Sequence, residues 1–405
     1  MSCIDASPPA VPARLHARIG VDFSYDVRFC RHLFAPRNRL LADFFGKCAD
    51  GSSPVRLFCF VDDGVVRGHP QLCSGIRAYM EKHRESVELV EDPRVLAGGE
   101  QAKNGLETVH CVTALARKAK LCRKSCILVV GGGALLDAVG FAAAMIHRGI
   151  PLVRVPSTVL SQNDSGVGVK NGVNAGGAKN FLGTFAPPAA VFNDFELLGS
   201  LSRRDWIAGT AEAFKVAAIK DETFLFWLLE NCRRFPERDD VVMAHLIRRC
   251  AQLHVEHITE AGDPFEFGRA RPLDFGHWAG HHLESLSRHE LRHGEAVAIG
   301  MAIDLLYAEA RDLLAEGEAR RLIRAFAEAG LPVWHDALTR TDKRGRRLVF
   351  EGIEAFREHL GGCLHVTLPG PLGTLQEVTR LDEAVLESCL VTLERLAGRH
   401  PSGRE

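Results

Sequence analysis

The hydrophobic pattern of this chain changes near residues 198–200. Up to that point, short apolar runs rich in β-forming residues alternate with segments of helical spacing, which is typical of a parallel sheet covered by helices. Beyond it, helical spacing continues almost to the carboxyl terminus. We therefore predict an α/β, Rossmann-like domain over residues 16–198 and an all-α domain over residues 199–398. A loose leader (1–15) and a tail (399–405) complete the chain.

The individual elements follow from the same periodicities. The apolar runs predicted as strands of the first domain are 56–61, 87–90, 126–130, 152–155 and 191–194. The segments predicted as its helices are 71–83, 106–118 and 138–145. The segments predicted as helices of the second domain are 206–219, 222–231, 239–257, 276–286, 295–313, 318–329 and 382–396. One run in that domain, 363–368, alternates like a strand.

Charge and cysteine content exclude several classes of protein. With 50 Lys and Arg against 51 Asp and Glu, the formal charge of −1 provides no field that would attract nucleic acid or an anionic membrane. No apolar run reaches transmembrane length. The 12 cysteines are scattered without a CxxC pair, so reduced thiols are expected rather than a disulfide framework. We expect a cytoplasmic protein that binds a small molecule.

Three glycines, Gly131 to Gly133, stand between a predicted strand and a predicted helix. Glycines at such a junction let backbone N–H groups approach an anion at the helix amino terminus, so a pyrophosphate would fit there. The spacing differs from GxGxxG, and a structural glycine turn is an equal alternative. Asp63 follows the first strong strand, where a Rossmann-like fold meets an adenosine ribose, although turn formation is the simpler interpretation.

The segment 162–183 is polar and punctuated by glycines. Such a segment can present Asp164, Lys170, Lys179 and Asn180 into a cleft on a hairpin. Cations and amides in that arrangement suit a phosphorylated, hydroxylated ligand. The alternative is a surface hairpin with ordinary solvated charges.

Histidines form the most specific pattern of the second domain. His277 and His281 are four residues apart, so on a helix they share one face, and His293 opens the next helix. Converging neutral imidazoles are typical ligands of a divalent metal, which also needs an oxygen ligand. Glu212 lies three residues before Lys215 on an apolar helix and can supply this oxygen. Burying a carboxylate and an ammonium without partners costs free energy, and a cation or substrate between them would offset that cost. For each histidine alone, the alternative is a hydrogen-bonded structural role.

Six ordered blocks resemble the dehydroquinate synthase superfamily of sugar phosphate cyclases: GGGALLDAVGFAAA, MIHRGIPLVRVPSTVLSQNDSGVG, KNFLG, AEAFK, GHWAGH and HGEAVAIGM. The resemblance covers about residues 55–368. It implies NAD+ in the first domain and a catalytic Zn2+ or Co2+ held by Glu212, His277 and His293. The residues that it assigns to NAD+ are Asp63, Glu100, Lys103, Gly132, Gly133, Asp137, Thr158, Asp164 and Lys179.

The resemblance also implies roles around a sugar phosphate. Oxidation by NAD+, phosphate elimination, re-reduction and aldol cyclisation would follow one another without net redox change. Arg148 would reach the site from the neighbouring subunit of a homodimer. The residues implied in catalysis are Lys215, Asp164, His281 and Lys170. The further residues implied in substrate binding are Asn180, Lys179, Asp274 and His254.

Four sites depart from the dehydroquinate synthases of this superfamily. In a late loop, Phe356, Arg357 and Glu358 replace the sequence Asp-Lys-Lys. His254 and Ala270 replace a lysine and an arginine that hold the substrate carboxylate, and Asp274 replaces an asparagine. Losing charged hydrogen bonds, worth about 1.5–3 kcal/mol each, favours a heptulose 7-phosphate without a carboxylate, such as sedoheptulose 7-phosphate. The chain thus looks like the valiolone-forming branch, which typically lacks the histidine found here as His281. The alternatives are a 3-dehydroquinate synthase and a metal-dependent NAD alcohol or glycerol dehydrogenase.

Overall fold

A computed structural model describes residues 14–49, 53–176, 178–260, 265, 272–359 and 361–398. The predicted tail, most of the predicted leader and Ala270 lie outside the described residues. In the part of the chain that is described, no helix is long and apolar enough to cross a lipid bilayer.

The first half of the chain contains a seven-stranded sheet in which every pairing is parallel. Its strands are β1 (Asp26–Cys30), β2 (Val55–Asp62), β3 (Val87–Leu89), β4 (Arg94–Leu96), β5 (Cys126–Gly131), β6 (Leu152–Pro156) and β9 (Ala190–Asp194). Strand order is β1-β9-β6-β5-β2-β3, and β4 also pairs with β2. A separate antiparallel hairpin, β7 (Lys170–Ala175) and β8 (Ala178–Phe185), precedes β9. The α/β prediction is confirmed.

Helices cover both faces of this sheet. They are α1 (Leu40–Cys48), α2 (Asp63–Gly68), α3 (Leu72–Lys82), α4 (Glu107–Lys118) and α5 (Gly133–Met145). Along β2, Leu57 and Cys59 enter the hydrophobic cluster on one face while Phe58 and Phe60 enter the cluster on the other. Burial on both faces explains why the central strands are continuous apolar runs. The predicted helix 138–145 begins earlier, at Gly133, because Gly132 provides its amino-terminal cap.

The second half is helical, as predicted. Its helices are α6 (Arg203–Ala208), α7 (Ala211–Lys220), α8 (Glu222–Asn231), α9 (Asp240–Glu260), α10 (His277–Leu286), α11 (His293–Ala310), α12 (Glu318–Glu328), α13 (Glu351–His359) and α14 (Glu383–Leu396). The run predicted as a strand is β10 (Val366–Pro369), which pairs with β11 (Leu375–Val378). This small hairpin is the exception to an all-α second domain.

The prediction of one helix over 206–219 is wrong. The chain forms α6 and α7 instead, with the break at Gly209. A Cβ at Gly209 would lie 2.5 Å from the backbone nitrogen of Leu160, so the chain turns where it touches the sheet half. After the break, α7 packs against α9 and α11.

Helices α10 and α11 lie close together because glycines at their contact leave no side chain between the backbones. Gly276 precedes α10 with a φ of 79°, a left-handed conformation that glycine adopts without a steric penalty. A Cβ at Gly300 of α11 would lie 2.0 Å from the carbonyl oxygen of Gly276. Residues 294–308 of α11 are all buried, so this helix forms the centre of the helical half.

Candidate metal and nucleotide site

The three predicted histidines converge between α10 and α11. Ring centroids lie 5.1 Å apart for His277 and His281, 5.5 Å for His277 and His293, and 5.6 Å for His281 and His293. One ring nitrogen of each lies within 4.8 Å of those of the other two. The sequence spacing therefore predicted the cluster correctly. The tight group includes His281, which the family resemblance assigns to the substrate phosphate and not to the metal.

Glu212 adjoins the histidines from α7. Its Oε1 lies 3.6 Å from Nε2 of His293, and its side chain is 1% exposed. Oε2 is in ion-pair contact with Nζ of Lys215, whereas Oε1 has no hydrogen-bond partner among the described residues. A buried carboxylate oxygen without such a partner suits an additional cation. The donor set of one carboxylate and neighbouring imidazoles therefore fits Zn2+ or Co2+.

Burial and neighbouring charges favour the neutral form of two imidazoles. Burial, with the charges of Lys215 and His293, holds the pKa of His277 well below its usual range. The side chain of His281 is exposed, yet partial desolvation by the surrounding protein, with the charges of His277 and His293, holds its pKa well below the usual range. For Lys215, burial opposes the charge, but the carboxylates of Glu212 and Asp164 outweigh burial and raise the pKa. Lys215 is thus a buried, charged ammonium beside the histidines.

Glu284 on α10 also contacts the site, and the sequence analysis did not single it out. Its Oε1 lies 2.9 Å from Nδ1 of His293, and its Oε2 ion-pairs with Nζ of Lys179. Burial raises the pKa of this carboxyl, but contact with His293 and Lys179 outweighs burial and lowers it. A signal was available, because residues 277, 281 and 284 share one helical face.

The residues predicted to bind NAD+ gather at the carboxyl edge of the sheet. Asp63, directly after β2, accepts a hydrogen bond from the backbone nitrogen of Gly98 at 2.9 Å. Nζ of Lys103 lies 2.9 Å from Asp137 and 2.7 Å from Oδ1 of Asn180. This edge is where open parallel sheets bind nucleotides.

Further predicted residues border the same edge. Gly132 caps α5, and Gly133 follows it as the first residue of that helix. A Cβ at Gly133 would lie 2.6 Å from Oγ of Ser165. Glu100 accepts a hydrogen bond from Asn174 at 3.0 Å, and Thr158 exchanges hydrogen bonds with Ser161.

The polar segment 162–183 forms a helical turn followed by a hairpin, whereas the prediction placed its functional residues on one hairpin. Lys170, Lys179 and Asn180 lie on the β7–β8 hairpin, as expected. Asp164 does not, because it lies in a π-helical turn, Ser161–Ser165, before the hairpin. Arg154, fully buried on β6, anchors the connection by donating to the carbonyl oxygens of residues 166, 168 and 170. Four hydrogen bonds fix this arginine, the fourth to Oδ1 of Asn171.

His254 of α9 meets Asp164. Its Nδ1 lies 2.9 Å from Oδ1 of Asp164. Burial raises the pKa of Asp164, but the charges of Lys215 and His254 outweigh burial and hold it below its usual range. Asp274, which is half-buried, helps to raise the pKa of Lys215. Asp164 and Asp274 thus bring acidic groups close to Lys215 and His254.

Arg148 lies at the carboxyl end of α5, away from the hydrogen bonds described above. The side chain is exposed, and its backbone φ of 67° lies between positive φ values at His147 and Gly149. Its role across a homodimer stays a prediction.

Two kinds of comparison, with family models and with individual relatives, indicate the same family. Residues 94–208 match the 3-dehydroquinate synthase N-terminal family, and residues 209–346 match the 3-dehydroquinate synthase C-terminal family. A 2-epi-5-epi-valiolone synthase of Streptomyces glaucescens is 33% identical over 92% of this chain and 91% of its own length. A 3-dehydroquinate synthase of Pseudoalteromonas atlantica is 32% identical over 73% of this chain and 81% of its own length.

A solved structure extends the similarity to the whole fold. The 2-epi-5-epi-valiolone synthase of Streptomyces hygroscopicus subsp. jinggangensis 5008, with NAD+ and Zn2+ bound, superposes with a TM-score of 0.81. It is 30% identical and covers 94% of this chain and 99% of its own length. The family matches and the fold agree, and the chain belongs to the dehydroquinate synthase superfamily of sugar phosphate cyclases.

Proposed function

We propose that this protein is an NAD+- and divalent-metal-dependent cyclase that acts on a heptulose 7-phosphate lacking a carboxylate, such as sedoheptulose 7-phosphate. The observation that carries the proposal is the buried Glu212, whose Oε1 has no hydrogen-bond partner among the described residues, beside three converging imidazoles and the charged Lys215. The full-length relatives named as valiolone synthases support the substrate class. We further propose a cytoplasmic homodimer in which Arg148 serves the neighbouring active site.

The ligand chemistry of the site assigns distinct roles to its residues. Glu212, His277 and His293 would hold Zn2+ or Co2+. When bound, the metal supplies Lewis-acid stabilisation of a substrate oxygen, and NAD+ supplies a reversible hydride acceptor. The Nζ ammonium of Lys215 would donate hydrogen bonds to the ring hydroxyls, and Asp164 would keep Lys215 and His254 oriented.

A second group of residues would bind the phosphate. Lys170 and Asn180 on the hairpin would donate to its oxygens, and Nε2 or Nδ1 of His281 would carry a proton toward the leaving group. Asp274 and Asp164 would disfavour a second negative charge on the sugar, because like charges brought together cost several kcal/mol in a binding site.

The second candidate, 3-dehydroquinate synthase, is favoured by His281, since the sequence resemblance gives this histidine to those enzymes and not to the valiolone branch. A substrate panel separates the candidates. Enzyme loaded with NAD+ and Zn2+ or Co2+ is incubated with sedoheptulose 7-phosphate or with 3-deoxy-arabino-heptulosonate 7-phosphate. We expect phosphate release from the former without lasting NADH absorbance. Preference for the carboxylated sugar would identify a dehydroquinate synthase.

Lasting, stoichiometric NADH would instead identify a dehydrogenase and contradict any cyclase assignment. A matched pair of variants on α7 tests the site in the same assay. Lys215→Met should abolish phosphate release, whereas Lys220→Met, which removes a lysine from the end of the same helix, should retain it. NMR of the product then identifies the carbocycle.

A further inference from the structure

Glu284 connects the two halves of the molecule. Its carboxylate is buried, with the side chain 6% exposed, and each oxygen has a different partner. Oε1 faces Nδ1 of His293 at the start of α11, and Oε2 pairs with Nζ of Lys179 on β8. One carboxylate therefore joins a histidine of the helical half to the hairpin of the sheet half.

The contact with Glu284 determines which nitrogen of His293 is available. An ionised carboxylate can only accept, so Nδ1 carries the hydrogen at this 2.9 Å contact. The lone pair of Nε2 is then directed to the other side of the ring, where Oε1 of Glu212 lies 3.6 Å away. Carboxylates that orient a metal-ligating imidazole in this way commonly raise metal affinity.

Lys179 fixes the other end of the carboxylate. A buried carboxylate needs a cation or several hydrogen bonds to remain ionised in place. With Oε2 held by Lys179, rotation of the Glu284 side chain away from His293 would break an ion pair as well as a hydrogen bond. The side chain of Lys179 is 27% exposed, so the pair lies at the edge of the cleft.

We propose that Glu284 is a positioning residue for the metal and that Lys179 acts on metal affinity through it. The position of the β7–β8 hairpin is thereby coupled to the affinity of His293 for the metal. This inference rests on the proposed metal site. By linkage, a ligand that orders the hairpin strengthens metal binding by the same factor by which the metal strengthens binding of that ligand.

A double-mutant cycle tests the coupling. The zinc affinity of the wild type, Glu284→Gln, Lys179→Met and the double variant is measured by competition with a chromophoric chelator, at NAD+ concentrations shown to saturate each protein. Glu284→Gln should weaken zinc binding by about 10–100-fold, the range typical of outer partners of ligands. Lys179→Met should weaken it about tenfold, and the double variant should equal Glu284→Gln, because both changes act on one carboxylate.

Two controls make the cycle specific. Lys118→Met removes a positive charge from an exposed lysine of the sheet half and should leave zinc affinity unchanged. In the Co2+-loaded protein, Glu284→Gln and Lys179→Met should both shift the visible absorption bands that report ligand geometry, whereas Lys118→Met should not. A general loss of folding would not reproduce this selective pattern.

The outcomes separate this inference from the proposed function. If His293→Ala binds zinc as tightly as the wild type, the metal site itself is wrong and the inference fails with it. If His293→Ala loses zinc while Glu284→Gln and Lys179→Met retain wild-type affinity, only the inference is overturned. Additive effects in the double variant would also overturn it, because Lys179 would then act independently of Glu284.

Discussion

Oδ1 of Asp164, in the turn before the β7–β8 hairpin, lies 2.9 Å from Nδ1 of His254 on α9. The ring fits because residue 168 is a glycine. A Cβ there would lie 3.0 Å from Nε2 of His254. The histidine therefore packs against the chain segment that leads to the β7–β8 hairpin, where it pairs with an acidic side chain.

His254→Lys should shift substrate preference toward the carboxylated sugar. A charged hydrogen bond contributes about 1.5–3 kcal/mol, so the ratio of kcat/KM for the carboxylated to the uncarboxylated heptulose phosphate should rise about tenfold or more. Gln252→Lys adds the same charge to an exposed position of α9 and should leave the ratio unchanged. An unchanged ratio in His254→Lys would separate this residue from carboxylate discrimination.

Glu212→Gln should release the metal. The substitution keeps the size of the side chain but removes the buried charge, and the loss of affinity should exceed the 10–100-fold typical of outer partners. Metal content after dialysis against a weak chelator measures the effect. Glu222→Gln, at an exposed position near the start of the next helix, is the control. Full metal content in Glu212→Gln would exclude this carboxylate as a ligand.

Asp304 should make stability depend on pH. This fully buried residue of α11 accepts hydrogen bonds from the backbone of Gly276 at 2.9 Å and from Nε1 of Trp278 at 2.7 Å. Burial outweighs both contacts and raises its pKa from the ordinary 3.8 to about 7. As pH rises, the unfolded chain therefore loses the proton of Asp304 at a lower pH than the folded protein does. The stability contributed by Asp304 falls as pH rises from about 4 to about 7.

The measurement compares Asp304→Asn with the wild type. Urea unfolding of the metal-free proteins at several pH values between about 5 and 8 gives the difference in free energy of unfolding at each pH. The advantage of the wild type should shrink by about 1.4 kcal/mol per pH unit at most as pH rises through this range. Asp312→Asn, exposed near the end of the same helix, should show a constant difference. A pH-independent difference for Asp304→Asn would contradict the raised pKa.

Gly300→Ala should disrupt the packing of α10 on α11. The added methyl group would lie 2.0 Å from the carbonyl oxygen of Gly276, and backbone cannot yield as a flexible side chain can. Overpacking of this kind costs about 1–3 kcal/mol or more, which should lower Tm by several degrees and weaken metal binding together. Gly199→Ala, where nothing lies within 4 Å of the added Cβ, should change neither quantity by a comparable amount.

The central strands and the histidine cluster were predictable because both depend on local periodicity. Continuous apolar runs marked the buried strands, and a four-residue spacing marked the shared face of His277 and His281. β1 was missed because its residues are half-exposed and mixed in polarity at the edge of the sheet. The ion pair of Lys179 with Glu284 joins residues 105 positions apart, and local periodicity carries no information about such a contact.

The close backbone contact between the start of α10 and α11 fixes the positions of the histidines at the proposed metal site. His277 and His293 begin two helices whose separation is set by the absence of side chains at Gly276 and Gly300. Either imidazole could be displaced only by moving these two helices apart. Substitutions that alter specificity without disturbing the fold are therefore expected outside the helix pair, at positions such as His254 of α9.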